Sequence, residues 1–284
     1  MRVSPRELTA VRAGGLVARY AVLREAVFVI ADLPDSGTSG TSLEEPCLLE
    51  HWGLVLQGEL RFEGRSQRTY GPGTAFYVRP GRPAHRFRAT ERVVVAGFAP
   101  VSKPIDDSPE GWQARGIEIV RRVPAPAAPP AAVKVSGART RKATAGQVET
   151  ESAEMGDWLF TKTSFGPLSG YADGWCDLPH WGLVLDGDLV LRWEDGALEL
   201  LGPGDAYHTP AGPPGHRLEV ADVASVVDYT PISAVQDTAQ RQAPRLVAAW
   251  AARNRTRTSR QVTATKAPSA NGRPTTAALL VDTA

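Results

Sequence analysis

Residues that bind metals occur twice in this chain, in the same order and at nearly the same spacing. Cys47, His51 and His85 form one set, and Cys176, His180 and His216 form the other. The Cys and the first His recur 129 residues on, the second His 131 residues on. The two sets take up both cysteines and four of the five histidines. A single Cys or His is ordinarily a core residue. Six of them in duplicate register ask for a common chemical reason. Thiolate and imidazole are donors that suit Zn and other borderline metals. Three protein donors leave a coordination position open, as in catalytic rather than closed structural sites.

The elements that must position these side chains can be read around them. Leu49-Glu50-His51-Trp52-Gly53-Leu54-Val55-Leu56-Gln57-Gly58 recurs as Leu178-Pro179-His180-Trp181-Gly182-Leu183-Val184-Leu185-Asp186-Gly187, and Gly71-Pro72-Gly73 as Gly202-Pro203-Gly204. The stretches Leu54 to Phe62 and Leu183 to Trp193 are rich in β-branched and aromatic residues and bounded by Gly. They predict strands, with Trp193-Glu194-Asp195-Gly196 as a hairpin turn. Arg92 to Phe98 and Ala224 to Tyr229 are predicted as closing strands. Four residues of extended chain span ~13 Å, so Cys47 and His51 share an ion only if the chain bends between them. Pro179 in the second copy is compatible with that bend. Strand alternation puts Trp52 and Trp181 on the face away from His51 and His180, as packing residues, and Gly53 and Gly182 on the metal face, where a missing side chain leaves space for a substrate.

These blocks resemble the two motifs of the cupin superfamily. Counting from Gly58 and Gly187, the family's Glu position is filled by His51 and His180, and its second His position by Cys47 and Cys176. Glu45 and Gly174 stand at its first His position. The second motif is matched by Gly73, Gly81 and His85, and by Gly204, Pro210, Gly212 and His216. The resemblance implies an all-β chain of two double-stranded β-helix (jelly-roll) barrels in tandem, a bicupin, with a metal inside each. The expected divisions are 1–123 for the first barrel, 124–144 for a Pro/Ala-rich basic linker and 145–235 for the second barrel. A short C-terminal helix (Leu246 to Ala252) and a basic disordered tail complete 236–284.

The expected ligand sets are Cys47, His51 and His85, and Cys176, His180 and His216. Glu45, Tyr77, Arg79 and His208 are candidates for substrate contact or for supporting the ligands, and Arg82, Arg86 and Arg88 add to a basic rim. A divalent ion is expected. Zn comes first because a thiolate beside a dioxygen-activating iron is exposed to oxidation; Fe(II), Cu, Ni and Mn are the alternatives.

Composition narrows the function classes. With 42% apolar and 22% charged residues, this is the profile of a soluble globular protein. No apolar run approaches the ~20 residues of a membrane helix, and Met1 to Ala21 lacks the apolar centre of a secretory signal. A cytoplasmic address with reduced cysteines is expected. Basic residues without acids between Ile119 and Val148 and between Pro244 and Arg273 are diluted by Ala, Pro, Ser and Thr, so a solvated segment is expected rather than a nucleic-acid contact. No phosphate-binding Gly-rich loop, Ser nucleophile motif or Cys-x-x-Cys pair is present. Two readings stand: a metal-dependent enzyme acting on a small polar molecule, with no catalytic residue assigned, and a non-catalytic metal or ligand sensor. A homodimer is compatible with either.

Overall fold

In the computed structural model, which describes residues 1–238 apart from 14–15, 25, 35–49, 65, 101–109, 111–117, 121–127, 131, 136–138 and 171–173, each repeated block is a central strand. In chain order the strands are β1 (Arg2–Val3), β2 (Thr9–Ala13), β3 (Leu16–Leu23), β4 (Ala26–Leu33), β5 (His51–Gln57), β6 (Leu60–Glu63), β7 (Gln67–Tyr70), β8 (Thr74–Val78), β9 (Arg86–Ala89), β10 (Val93–Pro100) and β11 (Glu118–Ile119). They continue with β12 (Lys134–Val135), β13 (Arg141–Ala145), β14 (Val148–Met155), β15 (Trp158–Phe165), β16 (His180–Asp186), β17 (Leu189–Trp193), β18 (Leu198–Leu201), β19 (Ala206–Thr209), β20 (His216–Val220) and β21 (Ala224–Pro231). Residues 232–238 form a short helix, α1.

The two barrels repeat one topology. The first has an eight-stranded sheet in the order β11-β2-β3-β4-β10-β5-β8-β12, faced by the three-stranded sheet β7-β6-β9. The second has a seven-stranded sheet in the order β1-β19-β16-β21-β15-β14-β13, faced by β18-β17-β20. Superimposing the orders equates β5 with β16, β8 with β19, β10 with β21, and β4 with β15. Tandem all-β barrels are therefore present, as the duplication implies.

Alternation along β5 and β16 splits their side chains between two cores. Trp52, Leu54 and Leu56 join Trp181, Leu183 and Leu185 in one buried cluster shared by both barrels. Val55 and Val184 instead belong to clusters private to the first and second barrel. The large sheets thus pack against each other through the faces that carry the tryptophans. Trp52 stacks on Trp158 with ring centroids 4.2 Å apart, and Trp181 meets the same ring edge-on at 5.2 Å. Each such aromatic contributes roughly 1.5–3 kcal/mol through burial, which is why the barrels form a single compact unit over Met1–Thr238.

Sheet edges lock the pair further. β1, which precedes the first barrel, pairs with β19 of the second; β12, which precedes the second barrel, pairs with β8 of the first. The turn glycines permit this. Gly73, at φ +76°, has Lys134 N–H donating to its carbonyl at 2.8 Å, and a Cβ there would collide with the Ala132 carbonyl. The segment expected as a linker therefore contributes β12, and β13 begins before residue 145. Both follow from the sheet edges that would otherwise lie unpaired. A short helix, α1, ends the described residues; Leu246 to Ala252, expected as a helix, and the tail lie outside them. No described helix is long and apolar enough to cross a membrane.

Candidate metal centre

The second barrel brings its three predicted ligands together. Cys176 and His216 are cross-strand neighbours: Cys176 N–H donates to the His216 carbonyl at 2.8 Å, and His216 N–H to the Cys176 carbonyl at 3.0 Å. Between Cys176 and His180 the chain turns through Asp177, Leu178 and Pro179, pinned by Gly212 N–H donating to the Asp177 carbonyl at 3.0 Å. The bend that the spacing required is present. It leaves Cys176 Sγ 3.3 Å from His180 Nε2, with the His180 and His216 rings 5.2 Å apart and nearly perpendicular. One donor atom from each of the three lies within 4.8 Å of the others.

His180 is positioned from behind. Its Nδ1 lies 3.1 Å from the Asp228 carboxylate and 2.8 Å from the Thr230 hydroxyl, both on β21. A carboxylate accepting from Nδ1–H fixes the tautomer and leaves Nε2 for the site, the arrangement commonly found behind metal-bound histidines. Burial opposes a charged His180 ring, yet the hydrogen bond and charge of Asp228, together with Cys176, push it up to about 10. His216 is driven the other way, down to about 3, by burial and then by its neighbours His180, the terminal amino group and His208, beside which a further positive charge is disfavoured. Its Nδ1 is buried with no hydrogen-bond partner. An imidazole short of a partner, a thiol and a carboxylate-backed imidazole fit a divalent cation.

A cavity of about 350 Å³ opens onto these residues. Thr161, Tyr207, Arg217, Asp228 and Thr230 give it polar atoms; Leu159, Trp175, Leu178, Leu218 and Val235 of α1 enclose it. The Arg217 guanidinium lies 4.6 Å from the centre of the Trp175 ring. Asp228 and Thr230 were not singled out from sequence. The available signal was a lone acid in the apolar closing strand Ala-Ser-Val-Val-Asp-Tyr, at an inward position.

In the first barrel, His51 and His85 also meet, with ring centroids 5.4 Å apart and perpendicular. Cys47 and Glu45 lie outside the described residues. Among the described residues, Gly97 and Ala99 occupy the places that Asp228 and Thr230 hold in the second barrel (each Asp228 or Gly97 lies opposite the first Gly after the Trp). Burial and then His85 push His51 down to about 4, and burial lowers His85.

The other candidates sit elsewhere. Tyr77 points to the interface between the barrels, donating to Glu50 at 2.8 Å, and does not line the cavity beside His51. His208 is 3% exposed and stacks on Trp181 at 4.8 Å, away from the cavity beside His180. Each is opposite its Trp in register, so strand alternation turns both outward from their barrels. Arg79 is exposed at a surface cavity that it lines with Arg68, Arg82 and His85, and Arg88 is paired with Glu63 at 3.0 Å. Gly53 and Gly182 leave no room for substrate: the Phe76 and Tyr207 rings fill the space each missing Cβ vacates.

Solved structures of oxalate decarboxylase from Bacillus subtilis share this architecture. A glutamate-to-alanine variant aligns with a TM-score of 0.57 at 12% identity, covering 81% of this chain and 77% of that one. A tryptophan-to-phenylalanine variant gives 0.56 at the same identity and coverage. A structure used to study its Mn(II) centres gives 0.56, again at 12% identity over 81% and 77%. No protein-family model and no curated protein sequence matches the chain. At this identity the likeness shows the fold, two cupin barrels in tandem.

Proposed function

We propose that the chain is a metal-dependent bicupin enzyme whose reaction centre is the second barrel, acting on a small polar molecule. The observation that carries this reading is the convergence of Cys176, His180 and His216 with Asp228 behind His180. These three residues would hold a divalent ion, which when bound supplies Lewis acidity toward a carbonyl or carboxylate oxygen. Asp228 keeps His180 in the tautomer that presents Nε2. Thr161 and Tyr207 supply hydroxyls along the cavity, and Arg217 a guanidinium whose charge is paired with Glu219 at 2.6 Å, a lining suited to a small polar molecule. Val235 on α1, together with Leu159, Trp175 and Leu178, shields the cavity from water.

The thiolate donor favours Zn, since Mn prefers oxygen ligands; Mn(II) is the ion named for the oxalate decarboxylase structure. Cys47, His51 and His85 are proposed as a second ion site.

Metal analysis of full-length protein purified without an affinity metal column, followed by a turnover screen of small carboxylic, keto and hydroxy acids, tests the proposal. Bound ion near one or two per chain with turnover abolished by chelation supports an enzyme. Full occupancy with no turnover moves the reading to a metal or ligand sensor, and no ion after reconstitution under reducing conditions overturns the metal centre.

A further inference from the structure

The cavity of the second barrel is graded in polarity along its strands. β15 and β16 begin, and β21 ends, at the same end of the large sheet, and α1 follows there. Asp228 lies opposite Gly182 and Thr161, and Thr230 opposite Leu159. Two residues of strand span ~7 Å, so Thr161 and Asp228 sit that much deeper than Leu159 and Thr230. Tyr207, opposite Gly182, belongs to the deeper level. At the outer level the Thr230 hydroxyl lies 2.8 Å from His180 Nδ1. Around it stand three apolar residues that line the cavity: Leu159, Leu178 at the entry to β16, and Val235 on α1. They form an apolar collar over a polar floor.

Protein does not close the collar, since each of the three residues is partly exposed. Apolar surface gains by leaving water, and surface that faces a cavity does so when a ligand covers it. The cavity measures about 350 Å³, whereas an apolar cavity of about 150 Å³ already takes benzene. There is room for a ring as well as for a short oxygen-bearing chain. Apolar walls with a few convergent polar groups are the usual make-up of a small-molecule site.

We infer that the substrate of the second barrel is amphipathic. Its oxygen-bearing head is directed at Cys176, His180 and His216 and at the hydroxyls of Thr161 and Tyr207. Its apolar body, about the size of a six-membered ring, occupies the collar of Leu159, Leu178 and Val235. The inference deepens the proposed function and rests on it for the head; the place of the body rests on the collar alone. An acid of two or three carbons fills only the deep part and leaves the collar wet. Covering it with a phenyl-sized group favours binding by about tenfold or more, through residues remote from the reacting end. Leu159, Leu178 and Val235 thereby determine specificity.

Phenyllactate and lactate share a head and differ by a phenyl ring, so comparing them isolates the collar. Both are titrated by calorimetry into full-length protein reconstituted with Zn, and again after chelation, with the ion content of each sample measured. Phenyllactate is expected to bind about tenfold or more tighter than lactate. That preference should persist after chelation, while both affinities fall. Leu159→Ala and Val235→Ala should each weaken phenyllactate several-fold and leave lactate unchanged. Val235 lies on the short helix α1, outside the sheets, and keeps the test open if Leu159→Ala does not fold. Val27→Ala, at the place of Leu159 in the first barrel, should change neither. Equal affinities for the two acids, or no saturable binding of phenyllactate, would overturn the inference. So would a preference that survives both collar substitutions or responds to Val27→Ala instead. Affinities unchanged by chelation, with the preference intact, would overturn the ion centre and leave the collar standing.

Discussion

The Tyr229 hydroxyl of the second barrel donates to the Gly53 carbonyl of the first at 3.0 Å, in a fully buried contact. Gly53 follows Trp52 and His51 on β5, while Tyr229 follows Asp228 on β21. Adjacent residues of one strand therefore serve the interface and the candidate centre in turn: Tyr229 faces the other barrel, Asp228 faces His180. Burial and then the charge of Asp228 push the Tyr229 phenol well above its ordinary range, so it stays a donor at any working pH.

Tyr229→Phe removes this donor and leaves the Gly53 carbonyl short of a partner. A cost of about 1–3 kcal/mol is expected, read as a melting temperature lower by roughly 2–4 °C per kcal/mol in a chain of this size. Metal content should be unchanged. An unaltered melting curve would show that the carbonyl finds another donor.

Asp228→Asn keeps the shape beside His180 but removes the charge that holds its ring. Loss of such a partner typically lowers metal affinity by ~10–100-fold. A competition titration against a chelating dye should show this drop, with a smaller one for Thr230→Val. Equal affinities for wild type and Asp228→Asn would mean that His180 is not a ligand.

Cys176→Ala should remove ion binding from the second barrel with the β-rich circular dichroism spectrum retained, because Cys176 joins its neighbours through backbone hydrogen bonds that alanine preserves. Adding Cys47→Ala should remove any remaining ion. If neither changes the measured stoichiometry, the thiols are not donors.

Acid should destabilise the fold through its buried neutral imidazoles. For His208, burial and then the positive charges of the Met1 amino group, Arg24 and His180 push the ring down to about 4. The unfolded chain titrates near 6.5, so the folded state binds this proton less tightly. The stability conferred by the neutral ring is complete above about 6.5 and is lost as the pH falls through that value toward 4. His208→Phe keeps the stack on Trp181 without the proton site. Its melting temperature should drop less than that of wild type between about pH 7 and about pH 5; parallel curves would assign the acid loss to the other lowered histidines, His51, His85 and His216.

The parts of the fold visible in sequence were those that the two copies still share. Cys176, His180 and His216 stand out because their spacing matches Cys47, His51 and His85, and the Gly-bounded strands around them read directly. Strands β2 to β4 and β13 to β15 carry no such likeness to each other, although Ala-Val-Phe-Val-Ile-Ala-Asp-Leu of β4 has the apolar, β-branched character of a buried strand. Asp228 was hidden for a related reason: its counterpart is Gly97, so comparing copies erased the signal instead of strengthening it. Gly53 and Gly182 misled because a missing Cβ looks like vacant space until the ring that fills it, Phe76 or Tyr207, is seen on the next strand.

The exchange of β1 and β12 makes each half a guardian of the other's solubility. Severed between the barrels, the second would present β19, and the first β8, as bare backbone ready to recruit any passing strand. Gene fusion here is more than convenience: two separately encoded halves would have to find each other before they found their own kind.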